Sequence, residues 1–337
     1  MTVALLDGDI IAYKQAIIST DTYEDTSIYD PVSVKRNIQI MVDEWAGLAK
    51  AGKILVCLSS DDHRYFRHIV YPDYKGNRSK TERPVALECA YATLKENYQC
   101  VQHDGLEADD VMGILAGNPN ITDPVIVSID KDMMTIPGKV LNPNKMRRAL
   151  KIRKPVADRN MLIQAMAGDS TDNYPGIPGI GPVKAAALLD QHPTPAKAWP
   201  SIVRVFGSEK KALTMVRLAR ILRYQDWNEE KGEVRLWHPT QKDIWIKSTP
   251  PTIEKETASK PSTTSDKNME TNGKLGPPVT CLRPEYVWNE LTKKIRLPCS
   301  AGPLEPETGA SRYCAPVDRT LVKISREVFA SMVVKST

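Results

Sequence analysis

Three short apolar runs punctuate the first 130 positions, and each stops at an acid. Val3-Ala4-Leu5-Leu6 runs into Asp7-Gly8-Asp9. Lys53-Ile54-Leu55-Val56-Cys57-Leu58 runs into Ser59-Ser60-Asp61-Asp62, and Val125-Ile126-Val127-Ser128-Ile129 into Asp130-Lys131-Asp132. Runs of this length without polar alternation predict strands buried on both faces. Between them, apolar residues recur at helical spacing. Ile10 to Ile18 predicts one helix, and residues 34–49 another, with Val34, Ile38, Met41, Val42, Trp45 and Leu48 on one face. Pro84 opens a third, carrying Leu87, Tyr91, Leu94 and Tyr98. A fourth follows Glu107, with Val111, Ile114 and Leu115 as its apolar positions. Strands alternating with helices predict an α/β fold with a mostly parallel sheet flanked by helices.

The acids fall where such a sheet places its chemistry. Open α/β sheets build their sites at the carboxyl ends of the strands. The stretch Glu107-Ala108-Asp109-Asp110 enters from that same edge, because its helix leads through a loop into the third strand. Asp7, Asp61, Glu107, Asp109, Asp110, Asp130 and Asp132 can therefore converge. Taken singly, each Asp suits a turn or an N-cap, and an acidic first turn favours the helix dipole. Their repetition at one edge favours a pocket. Unpaired carboxylates there repel one another, and a divalent cation that prefers oxygen ligands, Mg²⁺ or Mn²⁺, removes that cost. Asp9 and Asp62 read as turn residues.

Between the second strand and the acidic helix lies a basic stretch interleaved with aromatics. Arg64, Arg67, Lys75, Arg78, Lys80 and Arg83 alternate with Tyr65, Phe66, Tyr71 and Tyr74. Cations that meet phosphates and rings that stack on bases are how single strands are held, although a solvated basic loop has the same composition. Further on, a helix over Arg159–Ala167 leads into Gly168-Asp169-Ser170-Thr171-Asp172-Asn173 and then Tyr174-Pro175-Gly176-Ile177-Pro178-Gly179-Ile180-Gly181-Pro182-Val183-Lys184. Gly176, Gly179 and Gly181 let the backbone turn and bare its N–H groups. With Lys184 and the following helix N-terminus they form a nest for phosphate, a helix-hairpin-helix. Glu209 to Tyr224 predicts a basic helix and Glu233 to Trp237 a strand.

The order of these segments resembles the 5′ nuclease superfamily, the flap endonucleases and 5′-nuclease domains of bacterial DNA polymerases. The resemblance rests on strand-Asp7, strand-Asp61, Tyr74-Lys75-Gly76-Asn77-Arg78, Glu107-Ala108-Asp109-Asp110, Asp130-Lys131-Asp132, Gly168 to Asn173 and the hairpin. Leu218 to Arg223 and Leu236-Trp237-His238-Pro239 look closer to the T7-type phage 5′–3′ exonucleases. The likeness spans roughly residues 1–239. It implies a PIN-like fold, with a nuclease core over residues 1–155 and a helical arch at about 63–98. A helix-hairpin-helix DNA-binding region would occupy 156–248. Metal ligands would be Asp7, Asp61, Glu107, Asp109, Asp110, Asp130, Asp132, Asp169 and Asp172, holding two Mg²⁺, with Mn²⁺ able to substitute. Lys75 and Arg78 would steer the scissile phosphate, and Tyr74 would stack on a base. The hairpin would grip duplex DNA and, as in relatives, hold a K⁺.

Composition narrows the setting. The chain has 337 residues and a formal net charge of +5, a mild tilt towards polyanions. Its six cysteines form no CxxC pair, which disfavours zinc and fits a reducing cytosol. No basic, apolar leader opens the sequence and no run has membrane-spanning length. Residues 249–280 read as a disordered linker and 281–337 as a tail without evident chemistry. The expected protein is a monomeric, cytoplasmic nuclease acting on DNA 5′ ends or flaps, and on RNA–DNA hybrids. It would serve phage replication, recombination or host DNA degradation, in the host cytoplasm if phage-encoded. A PIN-type ribonuclease shares the acidic pocket but has no need of the hairpin. An inactive DNA-binding protein has no use for so many acids near phosphate. Every candidate ligand precedes residue 173, so a chain ending near residue 248 should keep its nuclease activity. A truncated protein that folds but does not cleave labelled duplex would refute this.

Overall fold

The computed structural model describes residues 1–251 except 24, 25, 81, 193, 241 and 242, so the linker and tail expected after residue 251 lie outside the described residues. Two units are distinguished, Met1–Ile18 with Val34–Asn272, and Ser19–Ser33 with the segment from Gly273. In the second, the described part is an antiparallel hairpin, β2 (Thr20–Tyr23) against β3 (Thr26–Tyr29).

The first unit holds everything that follows. Its elements begin with β1 (Val3–Asp7), α1 (Gly8–Ile18), α2 (Pro31–Ala49, which starts in the other unit), β4 (Lys53–Leu58), α3 (Phe66–Val70), α4 (Leu87–Asn97) and β5 (Cys100–Gln102). Next come α5 (Ala108–Ala116), β6 (Pro124–Val127), β7 (Gly138–Leu141), β8 (Leu150–Ile152) and α6 (Lys154–Ala167). A two-residue pair, β9 (Gly168–Asp169) and β10 (Tyr174–Pro175), precedes α7 (Pro182–Asp190), α8 (Pro195–Phe206) and α9 (Glu209–Ala219). Last are β11 (Trp227–Asn228), β12 (Glu233–Arg235) and β13 (Trp245–Lys247). Among the described residues no helix is long and apolar enough to cross a membrane.

The sheet has six strands in the order β5-β4-β1-β6-β7-β8. All its pairings are parallel except the last, β7 with β8. The expected α/β fold with a mostly parallel sheet is therefore the one observed. The strand order runs outward in both directions from β1, so the switch in winding lies at its carboxyl end, at Asp7. That is the crevice where such sheets bind their ligands.

Two apolar clusters support this frame. One packs Leu5, Leu55, Ile126 and Val140 of the sheet against Val111, Met112 and Leu115 of α5, and includes Leu222 and Leu236. The other gathers Met161 and Ala165 of α6, Ala185 and Leu189 of α7, Ile202 of α8 and Val216 of α9, with Tyr65 and Tyr74.

Several elements differ from the pattern-based reading. The third strand stops at Val127, because Ser128 turns its hydroxyl onto Asp7. The helix expected to reach Tyr224 ends at Ala219, because the next carbonyl and amide groups leave it to bond α3 and α5. Helix α8, for which the sequence pattern makes no assignment, carries Pro200 in its interior. Strands β5 and β8, three residues each, are too short for a periodic signal.

Gly113 shows how closely these pieces meet. It lies inside α5, where a Cβ would come within 2.2 Å of the Leu222 carbonyl oxygen. In an open helix, Gly→Ala stabilises by about 0.8–1.0 kcal/mol. Here Gly113→Ala should destabilise by about 1–3 kcal/mol, because overpacking forces the backbones apart. A thermal or urea melt showing stabilisation would contradict this packing.

Candidate active site

The acids at the sheet edge divide into those held closely by cations and those with distant cations or none. The pairing begins at Arg67 of α3, which is 2% exposed. Its guanidinium donates to Glu107 Oε2 at 2.6 Å and to both oxygens of Asp110, at 2.5 and 2.9 Å. It also donates to the carbonyls of Leu218 and Arg220, at 3.1 and 2.8 Å. Asp110 is fully buried, and its Oδ1 accepts from the Leu222 amide at 3.0 Å. All its acceptor capacity is spent inside the protein. Glu107 lies next to it and bonds the Lys75 ammonium as well. Burial alone would raise the Glu107 carboxyl, but Lys75 and Arg67 bring it down to about 2.

Lys75 occupies the left-handed backbone region at φ 55°, an uncommon conformation for a residue with a side chain. The Asp172 carbonyl fixes it by accepting from the Lys75 amide at 2.9 Å. From there its ammonium meets Glu107 and stands 3.7 Å from Asp172 Oδ1. Arg78 donates to the same Asp172 oxygen at 2.7 Å, and Asn77 to the Ser170 carbonyl at 2.8 Å. The segment 74–78 thus clasps the loop 169–173, a contact spanning almost a hundred residues of sequence.

The second set has no such partners. Asp7, at the end of β1, is 2% exposed and accepts from Ser128 Oγ at 2.7 Å and the Ile10 amide at 3.1 Å. Burial, with Asp9 and Asp130 nearby, pushes its carboxyl up to about 7. Burial also holds Asp109 well above the ordinary range, with Asp7, Asp130 and Glu107 adding repulsion. Asp132 accepts from Gln164 Nε2 at 2.6 Å, and burial beside Asp130 raises it to about 7 as well. Asp130 is fixed by its own loop, accepting from the Asp132 amide at 2.8 Å. Asp169 is bonded by the Thr171 amide at 2.7 Å, and its nearest cation is Lys131 at 3.9 Å. Among the described residues no three acidic side chains close on one point. They ring the edge instead, as mutually repelling anions do. This all-oxygen donor set, short of cations, fits hard divalent ions.

Some expected roles change once the residues are placed. Asp110 stands with the metal candidates in sequence, yet Arg67 and the Leu222 amide occupy it. Arg67 itself belongs to the core, not to an exposed basic lid. Tyr74 was expected to stack on a base, but it is 3% exposed, and its hydroxyl donates to Glu107 at 3.0 Å and Asp172 at 2.8 Å. Asp61 lies at the rim, mostly exposed, where Lys95 of α4 bonds it at 2.8 and 2.9 Å and Gln102 at 3.0 Å. Those bonds lower its carboxyl. Asp9, read as a turn residue, bonds the Ser59 amide at 3.2 Å and the Tyr91 hydroxyl at 3.3 Å at the edge. Burial raises it too. Ser59 and Ser128 carried no sequence signal as site residues. Ser128 orients Asp7, while Ser59 bonds Asp9 and accepts from the Ala108 amide at 2.9 Å.

The hairpin joins α6 to α7. Gly168 has φ 75°, and a Cβ there would meet the Gly176 nitrogen at 2.1 Å. A Cβ on Gly176 would meet the Ala167 carbonyl carbon at 2.2 Å. Gly176 is therefore a packing glycine, which locks the turn against the end of α6. Gly179, at φ 75°, and Gly181 face open space, the latter as the N-cap of α7. Lys184 is exposed and its ammonium rests on the Gly179 carbonyl at 2.9 Å.

A mostly parallel sheet with carboxylates short of cations at its switch point, and a glycine-rich hairpin after α6, is an arrangement that fits phosphodiester cleavage. Residues 2–158 match the family of the 5′–3′ exonuclease N-terminal, resolvase-like domain. That match takes in the sheet and its carboxylate edge, and the longer chain is similar to the T7-type phage exonucleases. It is 26% identical over 282 residues to the exodeoxyribonuclease of Enterobacteria phage T3, covering 70% of this chain and 93% of that protein. It is 28% identical over 229 residues to the exonuclease of Escherichia phage T7, covering 57% of this chain and 76% of the relative. In fold it is similar to the flap endonuclease of bacteriophage T5, solved with DNA and metal ions. That match has a TM-score of 0.50 and 18% identity, over 65% of this chain and 89% of the other.

Two outcomes follow from the division of the acids. Asp110→Asn should destabilise the protein by about 3–5 kcal/mol, because it leaves Arg67 buried and short of charge. Asp109→Asn should stabilise the metal-free protein in alkaline solution, because an amide avoids the cost of ionising a buried carboxyl beside other acids. Equal and small shifts in melting temperature for the two would contradict the division. The pH dependence has a defined sign. Asp7 and Asp132 keep protons up to about pH 7, whereas unfolded carboxyls lose theirs near pH 4. The folded state then binds more protons in that window, so metal-free stability falls as pH rises from about 4 to about 7 and levels off above. Melts in a chelator across that range check it. A profile that stays flat or rises would mean that these carboxyls are not held up.

Proposed function

We propose that this protein is a divalent-metal-dependent 5′–3′ exonuclease that also cuts 5′ flaps, hydrolysing DNA phosphodiester bonds. The observation that carries the reading is the unpaired carboxylate ring, Asp7, Asp109, Asp130, Asp132 and Asp169, beside the strained Lys75. The ligand set we assign is this ring, with Asp9 and the rim Asp61 close by. Glu107 and Asp172 lie next to it and position the cations. Mg²⁺, with Mn²⁺ as substitute, would lower the pKa of the attacking water and stabilise the leaving 3′ oxygen.

The chain's own residues do the rest. Lys75 and Arg78 already hold an anionic oxygen on Asp172, and they offer the same donors to a phosphate. Tyr74 orients Glu107 and Asp172 through its hydroxyl and takes no base. Helix α4 brings Tyr91 and Lys95 to the rim at Asp9 and Asp61, one wall of the arch through which a 5′ end would be threaded. The hairpin supplies backbone N–H groups, Lys184 and carbonyls suited to K⁺ for holding duplex. We take RNA–DNA hybrids as substrates too, since the same phosphates are presented, and the enzyme as a monomer, since every residue named comes from one chain.

The direct test is cleavage of 5′-labelled duplex and flap substrates with Mg²⁺ and in a chelator. Asp109→Asn should lower single-turnover cleavage by roughly 100-fold or more, since metal activation contributes several kcal/mol and each ~1.4 kcal/mol is a factor of ten. Binding in Ca²⁺ should hold or tighten, because one charge repelling phosphate is gone. If cleavage is unchanged, the site is misplaced, and if binding is lost instead, the carboxylate is structural. Lys184→Ala should weaken duplex binding about equally for all sequences and lower the salt slope by about 1. An unchanged slope means that Lys184 touches no phosphate.

A further inference from the structure

The side chains of Arg220 and Arg223 and the segment Leu236–Pro239 take no part in the site described above, which uses only backbone groups of Leu218, Arg220 and Leu222. They meet at a cavity of about 290 Å³ beside the first turn of α6. The active-site loop 169–173 lies past the other end of that helix, about 20 Å away at 1.5 Å per residue. The cavity therefore belongs to neither the carboxylate ring nor the hairpin.

Its lining is unusually cationic. Lys154, Arg220, Arg223 and Arg235 face it, against two carboxylates, Asp158 and Asp226. Both acids are already shared. Asp158 pairs with Lys154 at 2.6 Å and Arg223 at 2.7 Å. Asp226 pairs with Arg220 at 2.6 Å and Arg235 at 3.1 Å. Arg235 reaches Asp243 as well, at 3.3 Å, outside the lining. Two positive charges are left over within the lining. Arg220 and Arg223 are 6% and 5% exposed, so these two charges are held away from solvent, while Lys154 and Arg235 partly reach it. The Arg223 Nε is buried and has no hydrogen-bond partner. Burial, with Arg220 beside it, lowers Arg223 to about 10. An anion would relieve both groups. Trp237 also lines the cavity and offers an apolar surface to a planar group. The volume lies at the low end for small-molecule sites, enough for one nucleotide and too small for a strand.

We propose that this cavity is a binding site for a nucleoside 5′-monophosphate. Its dianionic phosphate would lie among Arg220, Arg223, Arg235 and Lys154, with its base against Trp237. That ligand class contains the mononucleotide products of exonucleolytic hydrolysis; only the source of the ligand rests on the nuclease reading, whereas the cavity's chemistry does not.

Isothermal titration of the full chain with deoxyadenosine monophosphate in a chelator tests the proposal. The chelator removes any metal-bridged binding of phosphate at the active site. Saturable single-site binding is expected, unaffected by Asp109→Asn. Lys154→Glu should weaken it by at least about tenfold, and the milder Lys154→Ala should weaken it less, on the scale of 1.4 kcal/mol per decade. The Lys154 side chain is 64% exposed, so Lys154→Ala should melt close to the wild type, and Lys154→Glu slightly lower because it faces Asp158 one turn on. Inorganic phosphate should bind at least about tenfold more weakly than the nucleotide, for want of the base. Absence of binding overturns the proposal, and so does binding that neither Lys154 variant alters. Equal affinity for phosphate and nucleotide overturns the nucleoside assignment. Weakened duplex binding in Lys154→Glu without any nucleotide binding would make the cavity part of the DNA surface, and would overturn it as well. Cleavage by the Lys154 variants is read separately, so neither result decides the nuclease reading.

Discussion

The buried guanidinium of Arg67 is the contact on which the rest of the arrangement depends. It joins α3 to the opening turn of α5 through Glu107 and Asp110, and both to the chain leaving α9 through two carbonyls. A buried charge unpaired in this way would be very costly, and a buried carboxylate equally so. Together they satisfy each other only in one geometry, because the fork of donors fits the two acids and the two carbonyls at once. That geometry holds the sheet edge and the helical region of α6–α9 in register. The second cluster of apolar residues, with Tyr65 and Tyr74 in it, then packs directly behind the carboxylates.

Fixing three of the acids with cations leaves the others exposed to one another. Glu107, Asp110 and Asp172 have Arg67, Lys75 and Arg78 within hydrogen-bond reach. Asp7, Asp109 and Asp132 have hydroxyl or amide partners at most, and their carboxyls are raised. A protein selected only for stability would have no reason to gather them. The asymmetry separates two tasks. Paired acids hold the architecture and hold cations in place, while unpaired acids keep ligand capacity free.

Much of this was legible in the sequence, for a physical reason. The strands of a parallel sheet are buried on both faces, so Leu5, Val56 and Val127 sit in unbroken apolar runs, and the acid that ends each run marks the edge. The hairpin glycines announced a turn whose geometry admits little else. What sequence could not separate was the job of each acid. Asp109 and Asp110 are neighbours with identical chemistry, and the 100° between successive helix positions sends one to Arg67 and the other towards Asp7. That depends on Arg67, whose spacing among Arg64 and Lys75 resembles any solvated basic loop. Tyr74 was hidden by the same ambiguity, since a ring that packs inward and a ring that stacks on a base share a sequence. Ser59 and Ser128 matter through one hydroxyl each, and α8 carries a proline in its interior, which reads as a break.

On the function proposed above, Lys75 and Arg78 would let a site crowded with acids admit a polyanion. An approaching phosphodiester meets a ring of negative charge, and repulsion alone would turn it away. Both cations already rest on carboxylate oxygens, Asp172 for Arg78, and Glu107 with Asp172 for Lys75. A phosphate oxygen that takes the place of a carboxylate oxygen exchanges one anion for another, so the cations never stand uncompensated. The left-handed turn at Lys75 keeps its ammonium beside the ring, and its amide bond to the Asp172 carbonyl prevents the turn from relaxing. Strain held in this way stays where the chemistry needs the charge, because the clasp between segments 74–78 and 169–173 would have to open before Lys75 could leave.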